Sequence, residues 1–226
     1  MSAIDLDKLA LQLKCPVGNE GKVLGKLMNA SNKGMITNSL LAMSVKNKHR
    51  ILEIGPGNGE HLTDIMRLAN GLRYFGFEIS KTMTEEAVRI NKKYVKSGRA
   101  LFQHYNGNKI PYVLNFFDRI ITVNTIYFWE KPDVFLKEIN RVLKPKGHFV
   151  LTFVDKKCME GLPFVNSVFS LFNIDKVSQL AMDSGFEIID IKTKTEYVRS
   201  KTDDLVHRKY TIMTLGKKTI SHQRNT

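Results

Sequence analysis

The chain has 226 residues, 42% of them hydrophobic, ordinary globular usage for a protein that buries a core. No apolar run approaches the ~20 residues a membrane helix needs. The opening Met1–Asp7 carries acids rather than the basic-then-apolar layout of a signal, so a cytoplasmic protein with no membrane insertion is expected. A formal charge of +13 favours anionic partners, nucleic acid among them, but no dense basic run is interleaved with aromatics. Cys15 and Cys158 are far apart and form no Cys-x-x-Cys pair, which argues against a zinc site or a disulfide framework.

Residues 1–48 read as two helices flanking Cys15–Gly21. They are too few to hold their own core, so they are expected to cap a core at 49–216, with 217–226 as a tail, the whole forming a single domain. Asn29, Asn32 and Met35 are the candidate face of a lid. From His49 onward, strand-like and helix-like segments alternate, the signature of a parallel sheet covered on both faces. His49–Ile54 is the first strand, and Leu62, Ile65, Met66 and Ala69 follow at helical spacing until Asn70-Gly71. Arg73–Glu78 is the second strand. Ser80 is an N-cap for a helix to about Lys96, and Ala100–Gln103 is the third strand. Phe117–Asn124 is apolar and β-branched, as a central strand should be. Pro132 opens a helix closed by a turn at Lys144–Gly147, and His148–Val154 is the fifth strand. A helix over Asp175–Ser184 and strands Phe186–Ile191 and Tyr210–Leu215 complete the pattern, and Ser221–Thr226 reads as frayed.

The most informative stretch is Glu53-Ile54-Gly55-Pro56-Gly57-Asn58-Gly59. A strand runs into a glycine turn and then a helix, which places close-approaching backbone and free N–H groups at the tip of a sheet. The spacing is Gly-x-Gly-x-Gly, not the dinucleotide Gly-x-Gly-x-x-Gly, because position 60 is Glu. Glu78 stands at the end of the second strand, where an acid after a glycine loop meets ribose hydroxyls.

With Phe117-Asp118-Arg119-Ile120-Ile121 leading into Asn124–Trp129, and with Leu136–Gly147, these motifs make residues 50–215 resemble the class I S-adenosylmethionine-dependent methyltransferases of the small, single-domain kind. The resemblance implies an α/β, Rossmann-like, doubly wound seven-stranded sheet, mostly parallel with an antiparallel last strand, plus the N-terminal helical cap. It implies S-adenosyl-L-methionine as cofactor, S-adenosyl-L-homocysteine as product, and no metal. Gly55, Pro56, Gly57, Asn58 and Gly59 would pass under the cofactor, Glu78 would bind its ribose, and Ile79 would pack on adenine. Asn106, beside Gly107, replaces the acid that often binds the adenine amino group, and its carbonyl can still accept from that group. Asn124 and Thr125 follow the fourth strand at the same cleft. Glu53 either supports the methionine end of the cofactor or only braces the loop.

Methyl transfer needs placement more than a strong base. Tyr127, Phe128 and Trp129 follow the fourth strand at the cleft and are the acceptor-side candidates, with Tyr127 the one to orient the acceptor and packing of the cap against the sheet the favoured reading for Phe128. His61 and His104 are bases by type only and receive no role. No Asn-Pro-Pro-Tyr string, Pro-Cys nucleophile or metal-ligand cluster is present. A small-molecule acceptor is the leading reading. RNA or protein methylation, and a non-catalytic S-adenosylmethionine-binding module, are the alternatives, with a dehydrogenase disfavoured by the glycine spacing.

Overall fold

The structure is a computed structural model that describes residues 5–199 and 205–218. Its strands are β1 (Arg50–Ile54), β2 (Arg73–Glu78), β3 (Ala100–His104), β4 (Phe117–Val123), β5 (Leu143–Val154), β6 (Phe186–Arg199) and β7 (Leu205–Lys217). They form one sheet in the order β3-β2-β1-β4-β5-β7-β6. β1 to β5 run parallel, and β7 lies antiparallel between β5 and β6. The order reverses at β1 and β4. In open α/β sheets the crevice beyond the carboxyl ends of the strands at such a switch point is where ligands bind.

The helices are α1 (Leu6–Lys14), α2 (Gly18–Ala42), α3 (Leu62–Arg67), α4 (Lys81–Ile90), α5 (Lys92–Lys96), α6 (Pro132–Val142), α7 (Lys156–Met159) and α8 (Ile174–Asp183). β1 and β4 are buried almost throughout, which is why their sequences run apolar rather than alternating. α6 buries Phe135, Leu136, Ile139 and Val142, the helical stripe its sequence carries. Ser80 caps α4 as expected, its Oγ accepting from Met83 N at 3.0 Å. None of the helices among the described residues is long and apolar enough to cross a membrane.

Four sequence expectations need correction. The helix expected to reach Lys96 breaks at Asn91, whose amide donates to the Ala87 and Gly59 carbonyls at 3.0 and 2.9 Å, so its side chain competes with the helix backbone. The turn at Lys144–Gly147 lies inside β5. Pro145 disfavours helix at Lys144, the chain becomes extended at Leu143, and a register shift against β4 absorbs the excess residues. The last two strands are far longer than expected, pairing from Phe186–Lys217 out to Arg199–Leu205. Their outer halves lack apolar alternation because both faces there are largely exposed. Finally, α2 begins already at Gly18. Met35 is not on a lid face but fully buried with Ile36, Leu40 and Met43 in the main core. The frayed end expected at Ser221–Thr226 lies outside the described residues.

The cap is thus welded to the sheet by its second half. Ser39 Oγ lies 2.6 Å from Thr152 Oγ1, and Asn38 donates to the Tyr210 hydroxyl at 2.8 Å. The first half of α2 packs on α4, where a Cβ on Gly25 would stand 2.6 Å from Met83 Sδ.

Candidate functional site

The loop after β1 starts the site. Gly55 has φ +70°, and a Cβ there would lie 2.5 Å from Thr125 Cγ2, so glycine is required on both conformational and steric grounds. At Gly57 a Cβ would meet open space, the cradle expected of backbone that faces a ligand. The Gly57 N–H donates to Glu78 Oε2 and the Ser80 N–H to Oε1, both at 2.9 Å. Glu78 is therefore fixed at the end of β2 with each oxygen half satisfied. Burial pushes its carboxyl above the usual range, and the Ser80, Gly57 and Ile79 amides offset only part of that rise.

A cavity of about 490 Å³ opens here, within the size range of small-molecule sites. Glu53, Gly55, Pro56, Gly57, Asn58 and Glu78 line it, as do Ile79, Asn106, Gly107, Asn124, Thr125 and Tyr127. Sequence reasoning placed all twelve there. Gly59 is not among its walls. It sits behind the loop, where a Cβ would lie 2.9 Å from Phe102, and its carbonyl accepts from Asn91.

Several of these side chains are engaged by the protein itself. Both Glu53 oxygens are taken. Oε2 accepts from the Tyr74 hydroxyl at 2.6 Å, and His61 Nε2 lies 2.8 and 3.0 Å from the pair. Burial pulls His61 down, but the Glu53 carboxylate more than reverses this and its pKa is raised. His61 Nδ1 lies 3.2 Å from Asn29 Nδ2, which also donates to Asn58 Oδ1 at 3.4 Å. The cluster ties the glycine loop to the cap. Asn106 Oδ1 accepts from the Asn108 and Lys109 amides at 3.1 and 3.3 Å, so its carbonyl holds its own turn rather than standing free for an adenine amino group.

Asn124, at φ +59°, lies just after β4. Its Nδ2 donates to Asn32 Oδ1 at 3.0 Å, and its Oδ1 accepts from the Tyr127 hydroxyl at 3.0 Å. That hydroxyl also accepts from Val154 N. Burial raises the Tyr127 phenol far above its usual range. Tyr127 is buried and committed to holding β4 against β5, which does not fit the acceptor-orienting role expected from its position.

Beyond Phe128, the sequence did not signal the far end of the cavity. Cys158 and Met159 of α7 and Leu162, Phe164 and Phe169 of the irregular segment after it line this end, and Phe128 joins them. Phe128 and Phe169 ring centroids are 4.8 Å apart. Phe128, for which packing was the favoured reading, is thus a cavity wall, as is Trp129. Arg208 of β7 lines the same end. The segment between β5 and α8 has no period to mark it. Its length alone, with clustered Phe, was the available signal. Asn166 donates to Asp7 at 2.7 Å, fastening this segment to α1. Among the described residues no group of three His, Cys, Asp or Glu could hold a metal.

Residues 52–151 match the family model of a methyltransferase domain. The chain is similar to the class I S-adenosylmethionine-dependent methyltransferases. It is also similar to the uncharacterized methyltransferase YdaC of Bacillus subtilis (strain 168), at 24% identity over 176 residues, covering 76% of this chain and 90% of the relative. Its fold matches a chain of the complex between the Haloferax volcanii Trm112 methyltransferase activator and a methyltransferase. The TM-score is 0.71 at 17% identity, over 88% of this chain and 95% of that one. It also matches the Haemonchus contortus phosphoethanolamine N-methyltransferase 2 in complex with phosphomonomethylethanolamine and S-adenosylhomocysteine. There the TM-score is 0.58 at 17% identity, over 80% of this chain and 53% of that one.

Proposed function

We propose that the protein transfers a methyl group from S-adenosyl-L-methionine to a small-molecule acceptor enclosed between the cap and the segment after β5. The observation that carries this reading is one continuous cavity with a buried, amide-held carboxylate at one end and apolar walls at the other. The residues fit the cofactor. Glu78 would accept from the ribose hydroxyls, Gly57 would let the backbone pass beneath, and Ile79 would cover adenine. The cofactor supplies an electrophilic methyl on a sulfonium. The chain's own part is placement and the exclusion of water. Tyr74, Glu53 and His61 hold the loop, and Asn124 with Asn32 holds the cap over the cleft. No metal is needed for this chemistry.

The fastening of Asp7 to Asn166 over the apolar end favours a compact acceptor over a polymer. The +13 charge is the one feature that favours nucleic acid, and that reading requires strongly salt-dependent retention on RNA or heparin. The deciding experiment is calorimetric titration with S-adenosylmethionine and S-adenosylhomocysteine, with Glu78→Ala as control. Saturable binding that the substitution weakens supports the reading. Absence of binding to folded protein overturns it in favour of the nicotinamide alternative, and binding with no methyl transfer to any acceptor overturns it in favour of the non-catalytic module.

A further inference from the structure

We propose that the acceptor is an apolar carboxylic acid, its ring or chain held by Phe128, Phe164 and Phe169 and its carboxylate held by Arg208 and Asn32. This rests on the methyl-transfer reading above. The lysine and the arginine of the cavity wall, Lys14 and Arg208, mark its ends. Lys14 adjoins Cys15, whose thiol donates to the Ile79 carbonyl at 3.7 Å, so it belongs to the adenine end. Arg208 belongs to the other. The amide of the next residue, Lys209, donates to Cys158 Sγ at 3.4 Å, and Cys158 is a wall of the apolar chamber.

The Arg208 side chain is only 12% exposed. Glu196 Oε1 takes its Nε and Nη2 at 3.1 and 2.6 Å, and the Ser31 carbonyl takes Nη2 at 2.7 Å. Nη1 donates to Asn32 Oδ1 at 3.3 Å. That accounts for four of five N–H groups, leaving one Nη1 hydrogen with no acceptor among the described residues. Asn32 is oriented by two donors to its oxygen, Asn124 and Arg208, so its amide NH₂ points elsewhere and donates to no described residue. Two open donors thus meet on the cavity wall, beside Asn124 at the cofactor end and the apolar chamber beyond. A carboxylate accepts such a pair. One turn earlier on α2, Asn29 is already spent on the glycine-loop side, on Asn58 and His61.

A carboxylate also needs no general base to become nucleophilic. The Tyr127 hydroxyl and His61 are committed within the protein. In the transfer a carboxylate oxygen forms the bond to the methyl carbon as the carbon–sulfur bond breaks. The electron pair stays on sulfur, the products are a methyl ester and a neutral thioether, and no proton moves.

The test uses three probes with one apolar body: 2-naphthoate, 2-naphthol and 2-naphthylamine. Each is titrated by calorimetry into protein saturated with S-adenosylhomocysteine, and each is then assayed for transfer from S-adenosylmethionine. The expected result is naphthoate binding at least tenfold tighter than the other two, with formation of its methyl ester. In the charge-neutral pair Arg208→Gln with Glu196→Gln, which leaves no half-buried carboxylate unpaired, that preference disappears while S-adenosylhomocysteine affinity is kept. Equal affinities, preference for naphthol or naphthylamine, or no binding of any probe to the loaded protein would overturn the proposal. So would a matching loss of S-adenosylhomocysteine affinity in the double variant, which would place the guanidinium on the cofactor's own carboxylate. Failure of the methyl-transfer reading differs from all of these, because the cofactor product itself would not bind.

Discussion

Asn32 on the cap helix accepts a hydrogen bond at 3.0 Å from the side chain of Asn124, the residue just after the central strand β4. The contact joins the part of the chain that covers the cleft to the part that forms its floor. Asn124 itself is held at positive φ by its backbone N–H, which donates to the Thr152 carbonyl at 2.9 Å, and by the Tyr127 hydroxyl. Asn32→Ala removes the acceptor shared by Asn124 and Arg208. The expected loss of stability is about 1–2 kcal/mol, the usual range for orphaning partly buried donors. Turnover should fall more than S-adenosylhomocysteine affinity, because the adenine and ribose contacts lie elsewhere. Urea unfolding and calorimetry on one preparation separate the two effects.

Glu78→Gln keeps the shape of the side chain and removes its charge. Charge-assisted hydrogen bonds contribute roughly 1.5–3 kcal/mol each, so affinity for S-adenosylhomocysteine should drop on the order of 100-fold. The same site gives a pH dependence. Ribose hydroxyls donate to the ionised carboxylate, and burial raises the Glu78 pKa. Affinity should therefore weaken as pH falls through a value above the ordinary carboxylate range, and the glutamine variant should lose that dependence. An identical acid limb in both proteins would show that another group controls it.

Gly55→Ala places a methyl 2.5 Å from Thr125 Cγ2 at φ +70°. The backbone part costs about 1–2 kcal/mol and the clash adds to it. Thr125→Ser removes the offending methyl. Gly55→Ala with Thr125→Ser should recover the steric part and not the backbone part, giving a favourable coupling in a double-mutant cycle measured by denaturant unfolding. Strict additivity would refute the contact.

His61 and Glu53 give a second pH effect, with its own sign. The folded pKa of His61 is raised by Glu53, so the ion pair contributes most below the unfolded histidine pKa of about 6.5. That contribution is lost as pH rises through the higher folded value. The stability difference between the wild type and His61→Gln should accordingly shrink from pH 6 to pH 9. A difference that grows over this interval would mean that His61 is neutral when folded.

The order of strands and helices, the glycine loop, Glu78 and the core stripe of α6 could all be read from the sequence. Each rests on local rules: a buried parallel strand must be apolar throughout, a helix repeats at 3.6 residues, and close backbone approach demands glycine. The same rules located twelve cavity-wall residues, because the loops after parallel strands gather at one edge of the sheet. What a side chain does there depended on partners distant in sequence. Glu53 met Tyr74 and His61, Asn106 turned back on its own loop, and the Tyr127 hydroxyl was taken by Val154 and Asn124. Met35 went into the core and Gly59 behind the loop, although both lie in the expected segments. Beyond Phe128, the acceptor end was decided by tertiary structure. Phe128, Phe164, Phe169 and Arg208 come from separate elements, and only the packing of an aperiodic segment and a long hairpin against α2 brings them to one cavity.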